Sequence, residues 1–123
     1  MGKKILIAED SSVILNLTKK ILMQQNFEIV TVKNGQGVLD KLETELFDLI
    51  LMDINMPVLD GMETTRKIRT MNDPKLASLP IFAITGNASN YTIDEFKAAG
   101  INEYLQKPLD FDRLVTLVNQ YTS

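Results

Sequence analysis

The segment KILIAED, residues 4–10, sets the pattern that decides the fold. A short apolar run from Lys4 to Ala8 ends abruptly in two acidic residues, Glu9 and Asp10. Such short, nearly continuous apolar runs are typical of strands that are covered on both faces, as in parallel sheets. A segment with helical spacing follows from Ser12 to Gln25. The first unit is therefore predicted to be a strand followed by a helix.

This alternation occurs five times along the chain. The later predicted strands are Glu28 to Val32, Asp48 to Met52, Ile81 to Ile84, and Glu103 to Leu105. The later predicted helices are Gln36 to Glu45, Met62 to Met71, Tyr91 to Ala99, and Phe111 to Tyr121. Strands separated by single helices are joined by right-handed crossovers, which place helices on both faces of one sheet. We therefore predict an α/β fold of the (βα)5 type, a doubly wound five-stranded parallel sheet in the order 2-1-3-4-5.

Two local patterns refine this prediction. In the first helix, the apolar residues that fall at helical spacing are Val13, Ile14, Leu17, Ile21 and Leu22. Before the fourth strand, the segments Asn72-Asp73-Pro74 and Leu79-Pro80 are predicted to be loops, because proline and Asn-Asp pairs interrupt regular structure.

Length and composition exclude several classes of function. The 123 residues suit a single domain spanning 1–123, and 13 basic against 16 acidic residues give a net charge of −3, so direct nucleic-acid binding is not expected. The absence of Cys and His excludes disulfides, thiolate or imidazole metal ligands and histidine-based catalysis. The apolar runs are too short to span a membrane, and no export signal is recognised. We expect a cytoplasmic protein without membrane insertion.

Polar residues follow four of the five apolar runs at the point where each predicted strand ends. Glu9 and Asp10 follow the first strand, Asp53 the third and Thr85 the fourth, and Lys107 comes just after the fifth. Ligand sites of such sheets lie beyond the carboxyl ends of the strands. Carboxylates within roughly 5 Å of one another repel by about 3 kcal/mol per pair at an effective dielectric near 20, so cationic groups are needed nearby.

The residue types at this edge favour phosphoryl chemistry. Lys107 supplies one positive charge, and ligands that are all oxygen favour Mg²⁺ as the second cation. A carboxylate surrounded by a divalent cation, an ammonium group and a hydroxyl can attack phosphorus and form an aspartyl phosphate. Such a transfer depends mostly on positioning and charge neutralisation, which is compatible with a chain that has no histidine.

Four motifs at these strand ends resemble those of a known family. They are Glu9-Asp10-Ser11, Asp53-Ile54-Asn55-Met56-Pro57 continuing to Asp60-Gly61, Thr85-Gly86, and Lys107-Pro108. Each motif is weak by itself, but four in order, each at a strand end, are specific. Together they resemble the receiver domain of two-component response regulators, from about Lys4 to Gln120. The resemblance implies a flavodoxin-like sheet and a cis peptide bond before Pro108.

The resemblance also implies a role for each matching residue. Asp53 would be the phosphoacceptor, Lys107 would pair with the phosphoryl oxygens, and Thr85 would move its hydroxyl group toward them. Tyr104 matches the family's switch aromatic, which would act together with Thr85. Asn87 matches a position that influences how fast the phosphoryl group is lost.

The same resemblance implies a Mg²⁺ site. Asp10 and Asp53 would bind the ion directly, together with the backbone carbonyl of Asn55. Glu9 would act mainly through a bound water molecule. Glu9 is a departure from the commonest pattern, which has Asp at this position, and its extra methylene is expected to soften the affinity for the metal.

The implied function is a phosphorylation-dependent signalling switch rather than an enzyme with its own substrate. The donor would be a histidine kinase or a histidine phosphotransfer protein. The phosphoryl group adds about two negative charges. These would bias the fourth predicted helix, the fifth strand and the fifth predicted helix toward binding a downstream protein, as a monomer or as a phosphorylation-dependent dimer.

Three alternatives remain open from the sequence. A degenerate receiver would use the same fold to bind proteins without being phosphorylated. A flavodoxin-like electron carrier would need a phosphate cradle after the first strand, where the acidic Glu9-Asp10-Ser11 would repel the FMN phosphate. A hydrolase with an aspartate nucleophile would generally place that residue on the first strand.

Overall fold

The computed structural model of the chain describes residues 3–86 and 91–123. Its strands are β1 Lys4–Ala8, β2 Glu28–Val32, β3 Leu49–Asp53, β4 Ile81–Thr85 and β5 Glu103–Gln106. They form one sheet in the order β2-β1-β3-β4-β5, and every neighbouring pair is parallel. Every residue of β3 and β4 is buried, as expected for central strands covered by helices on both faces. The predicted doubly wound parallel sheet is confirmed.

Six helices are found within the described parts of the chain. They are α1 Ser12–Gln24, α2 Gly35–Leu42, α3 Gly61–Arg69, α4 Pro74–Ala77, α5 Ile93–Ala99 and α6 Phe111–Thr122. Each begins after a Ser, Thr, Asn or Asp whose side-chain oxygen accepts a hydrogen bond from a backbone N–H of the first turn. None of the helices in residues 3–86 and 91–123 combines the length and hydrophobicity needed to cross a bilayer.

The helices cover the sheet on both faces and create two separate cores. Alternate residues of β1 show the division, because Ile5 and Ile7 belong to one core and Leu6 and Ala8 to the other. Helices α1 and α6 complete the first core, whereas α2, α3 and α5 complete the second. Helices therefore support the sheet from both faces, including its carboxyl-terminal edge, where the predicted site residues lie.

The segment before β4 differs from the sequence-based prediction. A loop was expected at residues 72–74, but Asp73 caps a short helix, α4, in which Pro74 occupies the first turn. Proline fits there because its missing N–H has no intrahelical partner at that position. The next helix, α5, begins two residues later than predicted, because Thr92 is its cap and forms a reciprocal capping box with Glu95.

The buried face of α1 also differs from expectation. Leu15, Thr18 and Leu22 face the core, whereas Val13 is 78% exposed and Leu17 is 47% exposed. The polar group of Thr18 is tolerated inside because its hydroxyl donates to the carbonyl of Ile14 at 2.7 Å. The helix therefore has apolar residues on two faces, one of which points to solvent.

Candidate functional site

The polar edge of the sheet gathers side chains from β1, β3 and the segment after β5. The register of β1 against β3 brings Glu9, the first residue after β1, next to Asp53, the last residue of β3. The register of β4 against β5 places Thr85 beside the residue that precedes Lys107. The prediction that these strand ends meet at one edge is thereby confirmed in geometry.

Lys107 connects the two buried carboxylates. Its Nζ donates to Asp53 Oδ2 at 3.1 Å and lies 3.2 Å from Glu9 Oε1. The main chain holds the lysine in place, because its backbone N–H donates to the Thr85 carbonyl at 2.7 Å. The peptide bond from Lys107 to Pro108 is cis, as the resemblance implied.

The ammonium group of Lys107 stays charged in this setting. Burial by itself would lower the pKa of Lys107, but the hydrogen bond to Asp53 and the charges of Asp53 and Glu9 outweigh burial and raise it. Lys107 therefore remains positively charged where the site opens to solvent.

Glu9 is the most deeply buried charged group of the site, with 1% of its surface exposed. Its Oε2 accepts a hydrogen bond from the backbone N–H of Ser11 at 3.0 Å. Its Oε1 is near Lys107, but the orientation makes no hydrogen bond, and this atom is the only buried side-chain polar atom without a hydrogen-bond partner in residues 3–86 and 91–123. Burial, reinforced by the neighbouring charge of Asp53, raises the pKa of Glu9 to about 7, although the Ser11 hydrogen bond opposes the rise.

Asp53 is held from both sides. Its Oδ1 accepts from the backbone N–H of Asn55 at 3.1 Å, while Oδ2 accepts from Lys107. Gly61 packs against the same strand end, and a Cβ atom at this position would lie 2.6 Å from the Asp53 carbonyl oxygen. Only glycine allows α3 to start this close to β3.

The donor set fits a hard divalent cation. Glu9, Asp10 and Asp53 each offer a carboxylate oxygen, and these oxygens lie within 4.8 Å of one another. Asp10 is exposed whereas the other two are buried, so the cluster opens to solvent on one side. Three carboxylates against one ammonium leave an excess of negative charge, and the orphaned oxygen of Glu9 lacks a cationic partner of good geometry.

The two predicted switch residues, Thr85 and Tyr104, lie on the neighbouring strands β4 and β5. Thr85 is 5% exposed at the end of β4. Tyr104 lies in β5, is 38% exposed, and stacks on Phe96 of α5 with ring centroids 6.0 Å apart. Asn87 lies outside the described residues.

One feature beside the site was not predicted. A groove of about 200 Å³ separates α1 from the segment after β5 and reaches Lys107. Its apolar wall consists of Val13, Ile14 and Leu17 on one side and Pro108, Leu109 and Phe111 on the other. The signal was present in the sequence, since α1 has more apolar residues than one buried face can hold.

Comparisons with known proteins agree with this geometry. The family model of the response regulator receiver domain matches residues 5–119. The CAI-1 autoinducer sensor kinase/phosphatase CqsS of Vibrio cholerae is 36% identical over 116 residues, which cover 94% of this chain and 17% of that protein. The polar-differentiation response regulator DivK of Brucella anthropi is 28% identical over 121 residues, covering 98% of this chain and 97% of DivK. The chain thus matches a small part of one relative and nearly all of the other.

Solved structures share the fold. The receiver domain of a sensor histidine kinase from Pseudomonas aeruginosa has a TM-score of 0.88 at 31% identity, with 99% of this chain and 98% of that chain covered. That structure has a magnesium ion coordinated in its active site cleft. The chemotaxis response regulator CheY4 of Vibrio cholerae has a TM-score of 0.86 at 28% identity, with coverage of 98% and 99%. This chain therefore belongs to the receiver domain family of two-component signalling.

Proposed function

We propose that Asp53 accepts a phosphoryl group from a phosphohistidine and that the phosphorylated chain then binds a different partner. The observation that carries this proposal is the position of the Asp53 carboxylate, whose two oxygens are held by Lys107 and by the backbone of Asn55. A carboxylate fixed in this way has a defined direction of attack, which is the main requirement for phosphoryl transfer.

The transfer step is a displacement at phosphorus. An oxygen of Asp53 forms the new P–O bond while the P–N bond of the donor breaks, and the leaving imidazole keeps the bonding electron pair. Lys107 already contacts Asp53 and neutralises charge on the phosphoryl oxygens. The Thr85 hydroxyl then becomes a hydrogen-bond donor to one of those oxygens, since Thr85 ends the neighbouring strand.

The acidic cluster gives the transfer its cation site. Glu9, Asp10 and Asp53, with the backbone carbonyl of Asn55, would hold Mg²⁺. When bound, the ion would supply positive charge and so lower the electrostatic cost of bringing a phosphoryl group to this acidic edge. Glu9, whose Oε1 has no hydrogen-bond partner, would contact the ion mainly through a bound water molecule.

The donor has a suitable place to dock beside Asp53. The apolar groove between α1 and the segment after β5 opens at Lys107, and α1 contains no acidic residue. Exposed Val13 and Leu17 offer the apolar contact that a helical phosphotransfer protein or histidine kinase would bury. We place the reaction in the cytoplasm, because such donors obtain their phosphoryl group from ATP. We further propose that residues 1–123 form one receiver unit, which has no enzymatic substrate of its own.

Phosphorylation is proposed to change partner binding at a surface different from the one that binds the donor. Tyr104 lies in β5 and stacks on Phe96 of α5, so a rearrangement of Thr85 and Tyr104 would alter the surface formed by α5, β5 and α6. This surface then binds a downstream protein or a second phosphorylated copy of the chain.

Mass spectrometry after incubation with Mg²⁺ and acetyl phosphate or phosphoramidate tests the proposal. The wild-type chain is expected to gain the mass of one phosphoryl group, and chelation of Mg²⁺ is expected to prevent the gain. Asp53→Asn should show no gain, whereas Asp94→Asn, an exposed aspartate on α5, should behave as wild type. An unmodified wild-type chain would contradict the proposal and favour the alternative of a receiver that binds partners without phosphorylation.

A further inference from the structure

Lys33 is a second lysine at the carboxyl-terminal edge of the sheet, and it takes no part in the proposed transfer step. It directly follows β2, whose last residue, Val32, accepts a hydrogen bond from the backbone N–H of Glu9 at 3.1 Å. In the strand order β2-β1-β3-β4-β5, Lys33 and Lys107 follow the two outer strands. The acidic residues of the site therefore lie at strand ends between two strands that are each followed by a lysine.

A hydroxyl group directs the Lys33 side chain toward α1. The Nζ of Lys33 donates to Ser12 Oγ at 2.7 Å, although both residues are exposed. Ser12 is the first residue of α1 and follows Asp10 by two residues, a span of at most about 7 Å along the backbone. The hydrogen bond therefore keeps the ammonium group within roughly 10 Å of the acidic cluster.

Lys33 forms no ion pair within the described part of the chain. Lys4, Lys41 and Lys107, by contrast, each have a carboxylate oxygen close to Nζ, at 2.6, 3.4 and 3.1 Å. The charge of Lys33 is thus not neutralised by direct contact with a carboxylate. It acts on the acidic cluster through space.

The position of Lys33 is unfavourable for a cation that would stabilise a helix. Its ammonium group bonds the first residue of α1, and its backbone lies two residues before Gly35, where α2 begins. Helix N-termini carry partial positive charge, so a cation at these ends is repelled. Arg69 has the opposite arrangement, because it donates to the carbonyls of Ala77 and Gly100 at the C-terminal ends of α4 and α5. The contrast favours the acidic edge, rather than a helix, as the electrostatic partner of Lys33.

Resting on the proposed function, we propose that Lys33 is a second cation of the site, which acts at long range and in opposite directions on the two ligands. Its positive charge opposes the binding of Mg²⁺ to the carboxylates and favours a phosphoryl group on Asp53. Lys107 contacts Asp53 directly, whereas Lys33 changes only the electrostatic potential at this edge. Ser12 keeps the ammonium group on the side of α1. Lys33 therefore disfavours the site that holds Mg²⁺ alone relative to the site that also holds a phosphoryl group.

The first test measures the affinity for Mg²⁺ by NMR titration, without phosphoryl donors and at low ionic strength. Lys33→Met removes the charge and keeps most of the aliphatic stem. Mg²⁺ should then bind roughly threefold more tightly, because a unit charge about 10 Å away still repels a divalent ion. At an ionic strength of about 1 M, where the Debye length is about 3 Å, the difference from wild type should disappear. Equal or weaker binding of Mg²⁺ by Lys33→Met at low ionic strength would overturn the proposal.

The second test measures the apparent affinity for beryllofluoride, a phosphoryl analogue, in saturating Mg²⁺ and at low ionic strength. Lys33→Met should bind the analogue roughly twofold more weakly than wild type, because the analogue adds negative charge to the site. Damage to the structure would weaken the binding of both ligands, so effects of opposite sign identify the charge of Lys33 as their cause. Equal or tighter binding of beryllofluoride by Lys33→Met would overturn the proposal.

Two variants serve as matched controls in both titrations. Lys33→Arg keeps the positive charge and should match wild type. Lys41→Met also removes one positive charge, but Lys41 pairs with Glu45, which contacts Lys4 at the opposite end of the sheet. This variant should match wild type as well. A shift in Lys41→Met as large as that in Lys33→Met would overturn the proposal, because net charge rather than position would then explain both.

Ser12→Ala tests the hydrogen bond that directs Lys33. This variant should shift both affinities in the same directions as Lys33→Met, but by a smaller factor, and wild-type affinities would overturn the role of Ser12. Failure of the wild-type chain to bind beryllofluoride would overturn the proposed function together with the phosphoryl part of this proposal. The Mg²⁺ titration would still decide whether Lys33 opposes the metal ion.

Discussion

The two ends of the sheet each have a lysine between two carboxylates. At the amino-terminal end, Lys4 Nζ lies 2.6 Å from Glu45 and 3.7 Å from Glu28. At the carboxyl-terminal end, Lys107 Nζ lies 3.1 Å from Asp53 and 3.2 Å from Glu9. The two lysine side chains are almost equally exposed, at 24% and 26%. The exposure of the lysine therefore does not distinguish the two clusters, although their charges differ: Glu45 also pairs with Lys41 at 3.4 Å, whereas Asp10 adds a third carboxylate beside Glu9 and Asp53.

The carboxylates differ sharply in burial. Glu28 and Glu45 expose 67% and 27% of their side chains, whereas Glu9 and Asp53 expose 1% and 3%. The pKa of Glu45 is lowered, mainly by its hydrogen bond to Lys4, while burial raises the pKa of Glu9. Glu28 and Glu45 keep contact with water, whereas Glu9 and Asp53 have lost nearly all of it, and this burial destabilises the ionised form of Glu9.

The largest expected effect distinguishes the two glutamates. The pKa of Glu9 rises from 4.5 to about 7 on folding, so the folded state holds a proton that the unfolded state releases, and stability falls as pH rises between these values. In EDTA at pH 8, Glu9→Gln should stabilise the chain by up to about 3 kcal/mol, with little effect at pH 4.5. Urea unfolding at both pH values measures the difference.

Glu45→Gln is the control for that experiment. Because the pKa of Glu45 is lowered, this substitution should weaken the fold slightly at pH 8 instead of strengthening it. If Glu9→Gln and Glu45→Gln changed the free energy of unfolding in the same direction, burial of the carboxylate would not explain the difference between the two ends of the sheet.

The next effect concerns the lysines. Lys107→Met leaves two buried carboxylates without their cation, which should cost about 2 kcal/mol at pH 7.5 in EDTA, less than for a fully buried pair because the lysine is partly exposed. Lys4→Met keeps the packing of the stem near Phe47, where the ammonium lies 5.1 Å from the ring, and should cost clearly less. Equal losses in urea unfolding would contradict the comparison.

The smallest effect is the response to Mg²⁺. The cation should stabilise the folded chain by about 1.4 kcal/mol at a tenfold excess over its dissociation constant. Thermal unfolding with and without Mg²⁺ should show the gain in wild type and in Asp48→Asn, whose carboxylate accepts from the Lys4 backbone at the opposite end. Asp10→Asn should lose most of the gain, and an equal loss in Asp48→Asn would mean that the ion binds elsewhere.

Most of the fold could be predicted because local pattern and global structure agree. Buried parallel strands appear as apolar runs, and polar residues at their carboxyl ends must meet at one edge once the strand order is known. The predicted strands β1 and β2 match the structure at both ends, and Asp53 and Lys107 lie next to each other as expected.

The errors have physical reasons. In α1, apolar residues occur on more than one face, so spacing alone does not show that Leu15 rather than Val13 packs inward. In the segment before β4, Pro74 suggests a loop as readily as the first turn of a helix. Contacts between distant segments, such as that of Tyr91 with Asp60, leave no periodic signal at all.

Arg69 has a consequence for how the chain opens in solution. Its guanidinium holds α4 and α5 together, and Asn102, which it also contacts, accepts from the backbone N–H at the start of β4. Separation of either helix from the sheet breaks hydrogen bonds of the same Arg69 guanidinium group. The two helices should therefore unfold as one cooperative unit, although α4 has only four residues and would not persist by itself.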